Sequence, residues 1–467
     1  MYAHILHKGQ YMRMTVSARR LLTPSGWIEN SAVEIDEKGQ IAAIGSEGFD
    51  RAQAVGTLIP GMANVHTHSF QRAMAGLAET RGPTGSDDFW TWRKVMYRFL
   101  EILTPDDIEL IAAQVQMEMA LAGYTASAEF HYLHHQPGGQ AFADIAETSS
   151  RIMAASRQSG IGLTHLPVLY MQGGLDGRSL SGGQLRFGCS ISEFEDLYAA
   201  IQSASQEMPG DFRLGVAPHS LRAVNSSGLD TCMALCPDGP IHIHAAEQVK
   251  EVEEVEAHLG ARPVRWLLDN LPVDARWCLI HATHLDDGEI AGLARSRSVA
   301  GLCPTTEANL GDGIFPAKEY LAAGGRFGIG SDSNIRLSVT EELRQLETSQ
   351  RLRHLRRALL TDEVTRSNGR YLYQRAATGG APAIGRAAGT IEVGRLADLV
   401  ALRDDVPLLD WPEPDQILDA WIFGFEGCGV SDVWAAGRHI VRGGQHIRGE
   451  EIRRKFASTM NRLKQAL

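Results

Sequence analysis

The spacing of apolar and polar positions divides the chain into three textures. From about residue 15 to 57 the runs are short and alternating, as in WIENSAVEIDEKGQIAAIG, and Asp36-Glu37-Lys38-Gly39 marks a hairpin turn. The same texture returns from about 387 to 446, in AGTIEVGRLADLVAL and VSDVWAAGRHIVRGGQHI, where glycines separate short strands. Between these ends, eight apolar runs recur at 58–66, 125–133, 160–170, 212–220, 240–247, 276–283, 298–304 and 326–333, with helical stretches between most of them. The clearest helix begins at TPDDIELIAAQVQMEMALAG. Thr104 suits the N-cap, Pro105 the first turn, Asp106 and Asp107 the positive end, and Gly123 the C-terminal cap. Strands alternating with helices predict an α/β fold, a (β/α)8 TIM-like barrel. The two β-rich ends predict a small β-sandwich domain built from both chain ends. The expected boundaries are 1–57 and 387–467 for the small domain, the latter with a terminal helix, and 58–386 for the barrel.

In such a barrel the chemistry lies where strands finish. The first run, LIPGMANVHTHSFQ, ends in His66 and His68, which share one face of a strand. Two buried imidazoles side by side are costly unless something binds them. The other runs end in Glu129, His131 and Tyr132, in His219, in His244 with Glu247 three residues on, in His281, and in Asp332. A barrel gathers these dispersed residues at one mouth. His66, His68, His244 and Asp332 form a three-nitrogen, one-oxygen donor set that suits Zn2+, with Fe2+ or Mn2+ as alternatives. Water held there would ionise near neutral pH. Asp332 is placed to take its proton, Glu247 to carry a proton to a leaving group, and His281 to hydrogen-bond the group under attack. This set hydrolyses a C=N or C–N bond at a planar carbon. His281 is preferred over His284 because it ends the apolar run, which leaves His284 a supporting or helix-capping role. His131, His134 and His135 form a second cluster, read as a support for the mouth and a following loop instead of a second metal site.

Bulk composition narrows the partners. The chain has 467 residues, 44% hydrophobic, and a net charge of −11 with no basic run. Nucleic acid and anionic membranes are therefore unexpected partners. No apolar stretch reaches the roughly 20 residues that span a bilayer. The opening MYAHILHKGQYMRM lacks the apolar core of a signal peptide, and Met12 or Met14 reads as a natural start, so residues 1–13 stay outside the fold argument. The six cysteines form no C-x-x-C pair, which suggests reduced thiols and a cytoplasmic setting. The Gly-rich segment 170–188 reads as a mobile lid, and the charged stretch QVKEVEEVEAHLG as a solvated helix face.

PGMANVHTH, HIHAAE, the His of LIHAT and the Asp of GIGSDS together resemble the amidohydrolase superfamily, specifically its aminohydrolase branch. GTIEVGRLADLVAL is similar to that superfamily's return to the small β-domain, and the resemblance covers about residues 15 to 460. Binuclear members usually carry a metal-bridging lysine on a middle strand. The fourth run here ends in VAPHS, so the resemblance implies one metal ion per chain. HTHSFQRAMAG, DDFWTWRKVMYRF, AEFHYLHH, GVAPHSLRAV and HIHAAEQ resemble, within that branch, the formimidoylglutamate deiminases. That resemblance implies hydrolysis of N-formimino-L-glutamate to N-formyl-L-glutamate and ammonia in histidine degradation. It implies substrate contacts from Gln71, Arg93, Tyr132, His219 and Arg222, and the wider superfamily resemblance, whose members are often dimers, points to a homodimer. Arg93 and Arg222 suit a dicarboxylate in an otherwise acidic protein. The rival within the branch is a deaminase of a nucleobase or related heterocycle. A catalytically dead scaffold would have lost a ligand or Glu247, and none is lost.

Overall fold

The computed structural model describes residues 13–77, 79, 89–410 and 413–466. The expectation about the natural start concerns positions that fall partly outside these. Eight parallel strand positions close into a barrel: Met62–Thr67, Tyr124–His131, Gly162–Leu169, Arg213–Leu214 continued by Ala217–Pro218, Ile241–Ala245, Trp277–His281, Val299–Leu302 and Arg326–Ile329. The eighth strand pairs with the first at Ile329 and Asn64. A bridge between Val216 and Ile241 joins the fourth position to the fifth. The fourth position is split at Gly215, where a Cβ would come 2.5 Å from the Pro240 carbonyl oxygen. Barrel strands are buried on both faces, which is why they read as apolar runs and not as alternating ones.

The helix expected after Thr104 runs Pro105–Leu121. Thr104 and Asp107 cap each other reciprocally, and Gly123 follows the helix at φ 94°. The terminal helix Gly449–Ala466 packs against it, where Arg462 pairs with Asp107.

Strands from both chain ends share one sheet. Its seam is Val55–Pro60, antiparallel to Leu399–Leu402 on one side and parallel to Met14–Thr23 on the other. The apolar run 58–66 therefore divides at Gly61, between the small sheet and the barrel. Gly61 N–H donates to Asp398 O in the small domain, and Met62 N–H to Gly123 O in the barrel. A Cβ on Gly61 would meet Thr125 at 2.3 Å, so only glycine allows this crossing. Alternation along the seam feeds two cores. Leu58, Leu399 and Ala401 belong to the small domain's core, and Ile59, Val400 and Leu402 to the barrel's. The sheet curls on itself, because the turn at Gly39 (φ 74°) lies so near Ala436 that a Cβ would sit 2.1 Å from its carbonyl oxygen. All six cysteines are free thiols. Among the described residues no helix is long and apolar enough to cross a membrane.

Candidate active site

His66 lies in the first strand and His68 just beyond it, with ring centroids 4.6 Å apart. His244 enters from the fifth strand, and its Nε2 is 3.1 Å from His66 Nε2. Asp332 Oδ1 is 3.4 Å from His66 Nε2 and 3.3 Å from His68 Nε2. The backbone sets the tautomers of two rings. His68 Nδ1 donates to the Phe130 carbonyl at 3.0 Å, and His244 Nδ1 to the His219 carbonyl at 3.2 Å. Their Nε2 lone pairs therefore face inward. Burial lowers the pKa of His66, His68 and His244, so the neutral form is favoured. Neutral nitrogens and a carboxylate oxygen converging this closely repel one another unless a cation lies among them. The donor chemistry fits a divalent metal of the zinc type.

The turn after the eighth strand is strapped to the first. Asp332 N–H donates to His66 O at 2.9 Å, and His68 N–H to Asp332 O at 3.0 Å. Asn334 donates its side-chain amide to His68 O at 3.0 Å and accepts from the Thr67 hydroxyl at 3.0 Å. Asp332 and His281 hold φ values of 43° and 69°, a region that non-glycine residues rarely occupy. This backbone presents both side chains at the mouth. His281 Nδ1 faces Glu307 at 3.3 Å, and its Nε2 lies 3.6 Å from Glu247 Oε1 and 4.0 Å from Asp332 Oδ2. Burial disfavours the His281 cation, but Glu247, Glu307 and Asp332 overcome that and raise its pKa. Burial pushes Glu247 up to about 7, with His281 pulling down and Asp332 and Glu251 pushing up. Glu251 fixes this corner by accepting from the N–H groups of Ala246 at 3.2 Å and Glu247 at 3.0 Å.

His68, His244, Glu247, His281 and Asp332 line the floor of a cavity of about 520 Å3, and its wall is built differently. Gln71, Arg93, Tyr132, His219 and Arg222 all line it. Gln71 donates to the Tyr132 hydroxyl at 3.1 Å. Arg93 lies over the Tyr97 ring, with 5.2 Å from guanidinium carbon to centroid. Arg222 has one long ion pair, 3.9 Å to Glu251, and its buried Nε has no hydrogen-bond partner among the described residues. Burial lowers the His219 pKa, and Arg222 and Arg93 lower it further, so His219 stays neutral between two cations.

A profile of the Amidohydrolase family matches residues 57–440. The chain belongs to the amidohydrolase family. This amidohydrolase is 48% identical to the formimidoylglutamate deiminase of Pseudomonas aeruginosa, over 96% of its own length and 99% of that protein's. It is 27% identical to the 5-methylthioadenosine/S-adenosylhomocysteine deaminase of Natronomonas pharaonis, over 96% of each chain. Among solved structures it resembles an amidohydrolase from Brucella melitensis, with a TM-score of 0.91 and 45% identity over 96% of this chain and 99% of that one. A zinc-bound adenosine deaminase from Xanthomonas campestris shares the fold alone, with a TM-score of 0.79 and 22% identity over 97% and 98% of the two chains.

His131, His134, His135, Glu129 and His284 do not line the cavity of this amidohydrolase. His131, His134 and His135 do not converge on one point. Their Nε2 atoms meet Thr148 Oγ1 at 3.0 Å, Val168 O at 2.9 Å and Gly188 O at 2.7 Å. His131 thus faces the helix Glu147–Ser159 and does not support the mouth, because alternation along its strand turns it outward. Glu129 holds Ser69 through both its backbone N–H, at 3.0 Å, and its hydroxyl. His284 bonds Asp312 O at 2.8 Å, while the adjacent helix is capped by Asp286. The side chains of Phe89 and Trp90 lie outside the described residues. The segment 170–188 does reach the cavity, through Gly173, Gly174, Asp176 and Arg178. The charged helix Val249–Leu259, given no role from sequence, supplies Glu251 beneath Arg222 and Lys250 at the rim. Glu307, which belongs to no motif, and Asn334 carry no signal in the sequence. Tyr170 does carry one, because it ends the third apolar run.

Proposed function

We propose that this amidohydrolase deiminates N-formimino-L-glutamate, giving N-formyl-L-glutamate and ammonia in histidine degradation, with one Zn2+ per chain and Fe2+ or Mn2+ as alternative ions. The reading is carried by one cavity lined by two unlike sets of residues, a metal-capable and proton-handling floor and a cationic wall, in a chain 48% identical to a formimidoylglutamate deiminase. His66, His68, His244 and Asp332 hold the ion, which supplies Lewis acidity that makes water nucleophilic at neutral pH. Asp332 takes the proton of the attacking water. His281, held by Glu307, hydrogen-bonds the group under attack at the formimino carbon. Attack gives a tetrahedral adduct. Glu247 then delivers a proton to the terminal nitrogen, and the C–N bond breaks with loss of ammonia. The inner nitrogen is held away from Glu247, so glutamate is not expelled. Arg93 and Arg222 hold the two carboxylates, with Gln71, Tyr132 and His219 completing the wall. The cationic amidine suits the acidic floor, and the anionic tail suits the guanidinium wall. A ring substrate favours aromatic and amide contacts, whereas a dicarboxylate calls for two or more guanidiniums, which favours the linear dicarboxylate over that rival.

The same reading gives a cytoplasmic enzyme whose partner is a small molecule, without nucleic acid or membrane, and whose oligomer is a homodimer. The test is a product assay on metal-quantified protein given N-formimino-L-glutamate. Ammonia with N-formyl-L-glutamate, at about one metal ion per chain, supports it. Glutamate as product overturns the assignment of Glu247's proton. No turnover at full metal loading shifts the reading to the heterocycle deaminases.

A further inference from the structure

Tyr170 follows the third barrel strand and is 5% exposed, with its ring on the cavity wall. Its hydroxyl sits between two donors. Arg93 Nη2 donates to it at 3.1 Å, and so does Gln184 Nε2 at 3.1 Å. Neither can accept in return. A guanidinium carries only donors. The Gln184 amide is oriented by its own oxygen, which accepts from Ser181 N–H at 3.2 Å. Both lone pairs of the phenol oxygen are therefore taken, and its one proton remains. Among the described residues that proton has no acceptor. The nearest ring is His219, with centroids 4.6 Å apart in an edge arrangement and no hydrogen bond between the two.

We infer that Tyr170 is a third donor to the substrate's carboxylate end, its O–H pointing into the cavity beside Arg93. This rests on the dicarboxylate reading above. The chemistry that satisfies such a group is an anionic oxygen. The phenol is buried, it is polarised by a cation that it accepts from, and it has a proton to give where Arg93 and Arg222 line the same cavity. A substrate carboxylate bound there completes a hydrogen-bond chain from Gln184 and Arg93 through Tyr170 to the ligand. The arrangement also ties recognition to two separate segments. Arg93 comes from the helix Phe89–Leu100 and Gln184 from the turn Gly182–Arg186, and Tyr170 is the atom where they meet. The residue thus determines specificity through binding and takes no part in bond cleavage.

The alternative is that Tyr170 serves only to position Arg93. Tyr170→Phe keeps the ring and removes the proton, and two readouts separate the roles. With N-formimino-L-glutamate, Tyr170→Phe is expected to lower kcat/KM by roughly ten- to a hundredfold, mostly through KM, as for a hydrogen bond to a charged group. In an Arg93→Ala background the same substitution should still cost at least about fivefold. No further loss in that background means that Tyr170 acts through Arg93, which overturns the inference. The second readout needs no turnover. Glutarate, a dicarboxylate without the reacting head, should bind metal-loaded Tyr170→Phe about tenfold more weakly than wild type. Equal affinity overturns the inference even if the enzyme is active. Absence of wild-type turnover with normal glutarate binding counts against the proposed reaction and leaves the Tyr170 contact standing.

Discussion

The floor and the wall of one cavity are built on opposite plans. On the floor, His66, His244 and His281 belong to barrel strands, with His68 and Asp332 directly after two of them. Each is at most 7% exposed, and the strained φ values of His281 and Asp332 are held by backbone bonds to neighbouring strands. On the wall, Arg93 comes from a helix outside the barrel, Tyr170 and Arg222 from residues beyond strand ends, and Gly173, Gly174 and Arg178 from a connecting segment. The contrast separates two needs. Bond cleavage needs atoms fixed to fractions of an ångström, which a closed sheet provides. Recognition of a flexible dicarboxylate needs donors that can gather around it, which loops provide. On the proposed reading, the floor serves the family's chemistry and the wall one substrate.

If the two ends are separate in function, substitutions should divide cleanly between kcat and KM. The largest effect is expected for Glu247→Gln. Loss of the proton carrier should lower kcat by about 10^2–10^4-fold with metal content unchanged, read by ammonia release and metal analysis. Activity within tenfold of wild type would remove Glu247 from the proton path. Arg222→Ala should act on binding instead. It should raise KM on the order of a hundredfold while metal stays near one per chain, because it deletes a buried charge-assisted contact. Loss of metal from this variant would place Arg222 at the floor and break the division.

A third region serves as a control for both. Asp211 lies among Arg386 at 3.0 Å and Arg438 at 2.6 Å, away from the cavity. Burial opposes its ionisation, but the two arginines overcome this and hold its carboxyl well below the ordinary value. A carboxyl depressed on folding contributes stability in full above its unfolded pKa, about 3.9, and loses it as pH falls toward the folded value. Asp211→Asn should cost about 3 kcal/mol of stability at neutral pH and flatten the acid side of the stability profile below about pH 4. KM should not move. A changed KM would mean that the scaffold and the wall are coupled. The smallest effect is expected in hydrogen exchange. Glutarate should raise protection in 171–188 and leave strands Met62–Thr67 and Ile241–Ala245 as they were, whereas equal protection with and without ligand in 171–188 would deny it a lid's role.

The floor was legible in the sequence because strand geometry writes itself into spacing. His66 and His68 two apart at the end of an apolar run, and His244 with Glu247 three on, are consequences of period-two strands and of a turn at each strand end. The barrel followed from the same alternation. Gly61 hid the crossing between sheets, because one continuous apolar run serves both of them. The wall was less legible. Arg93 and Arg222 are single arginines on no periodic pattern, and only resemblance marked them. Glu307 and Glu251 look like ordinary helix acids. Their partners, His281 and the Glu247 N–H, are distant in sequence or are backbone groups, and neither leaves a trace in spacing.

One comparison tests cleavage by the floor and recognition by the wall together. The most direct measurement compares kcat/KM for N-formimino-L-glutamate with that for N-formimino-4-aminobutyrate, which lacks the α-carboxylate, in wild type and in Arg93→Ala and Arg222→Ala. Ammonia is expected from both substrates, with a loss on the order of a hundredfold for the truncated one in wild type, and most of that loss already present when one of the two arginines is missing. Equal kcat/KM for the two substrates in wild type would contradict this division of roles, because the wall would then make no use of the α-carboxylate.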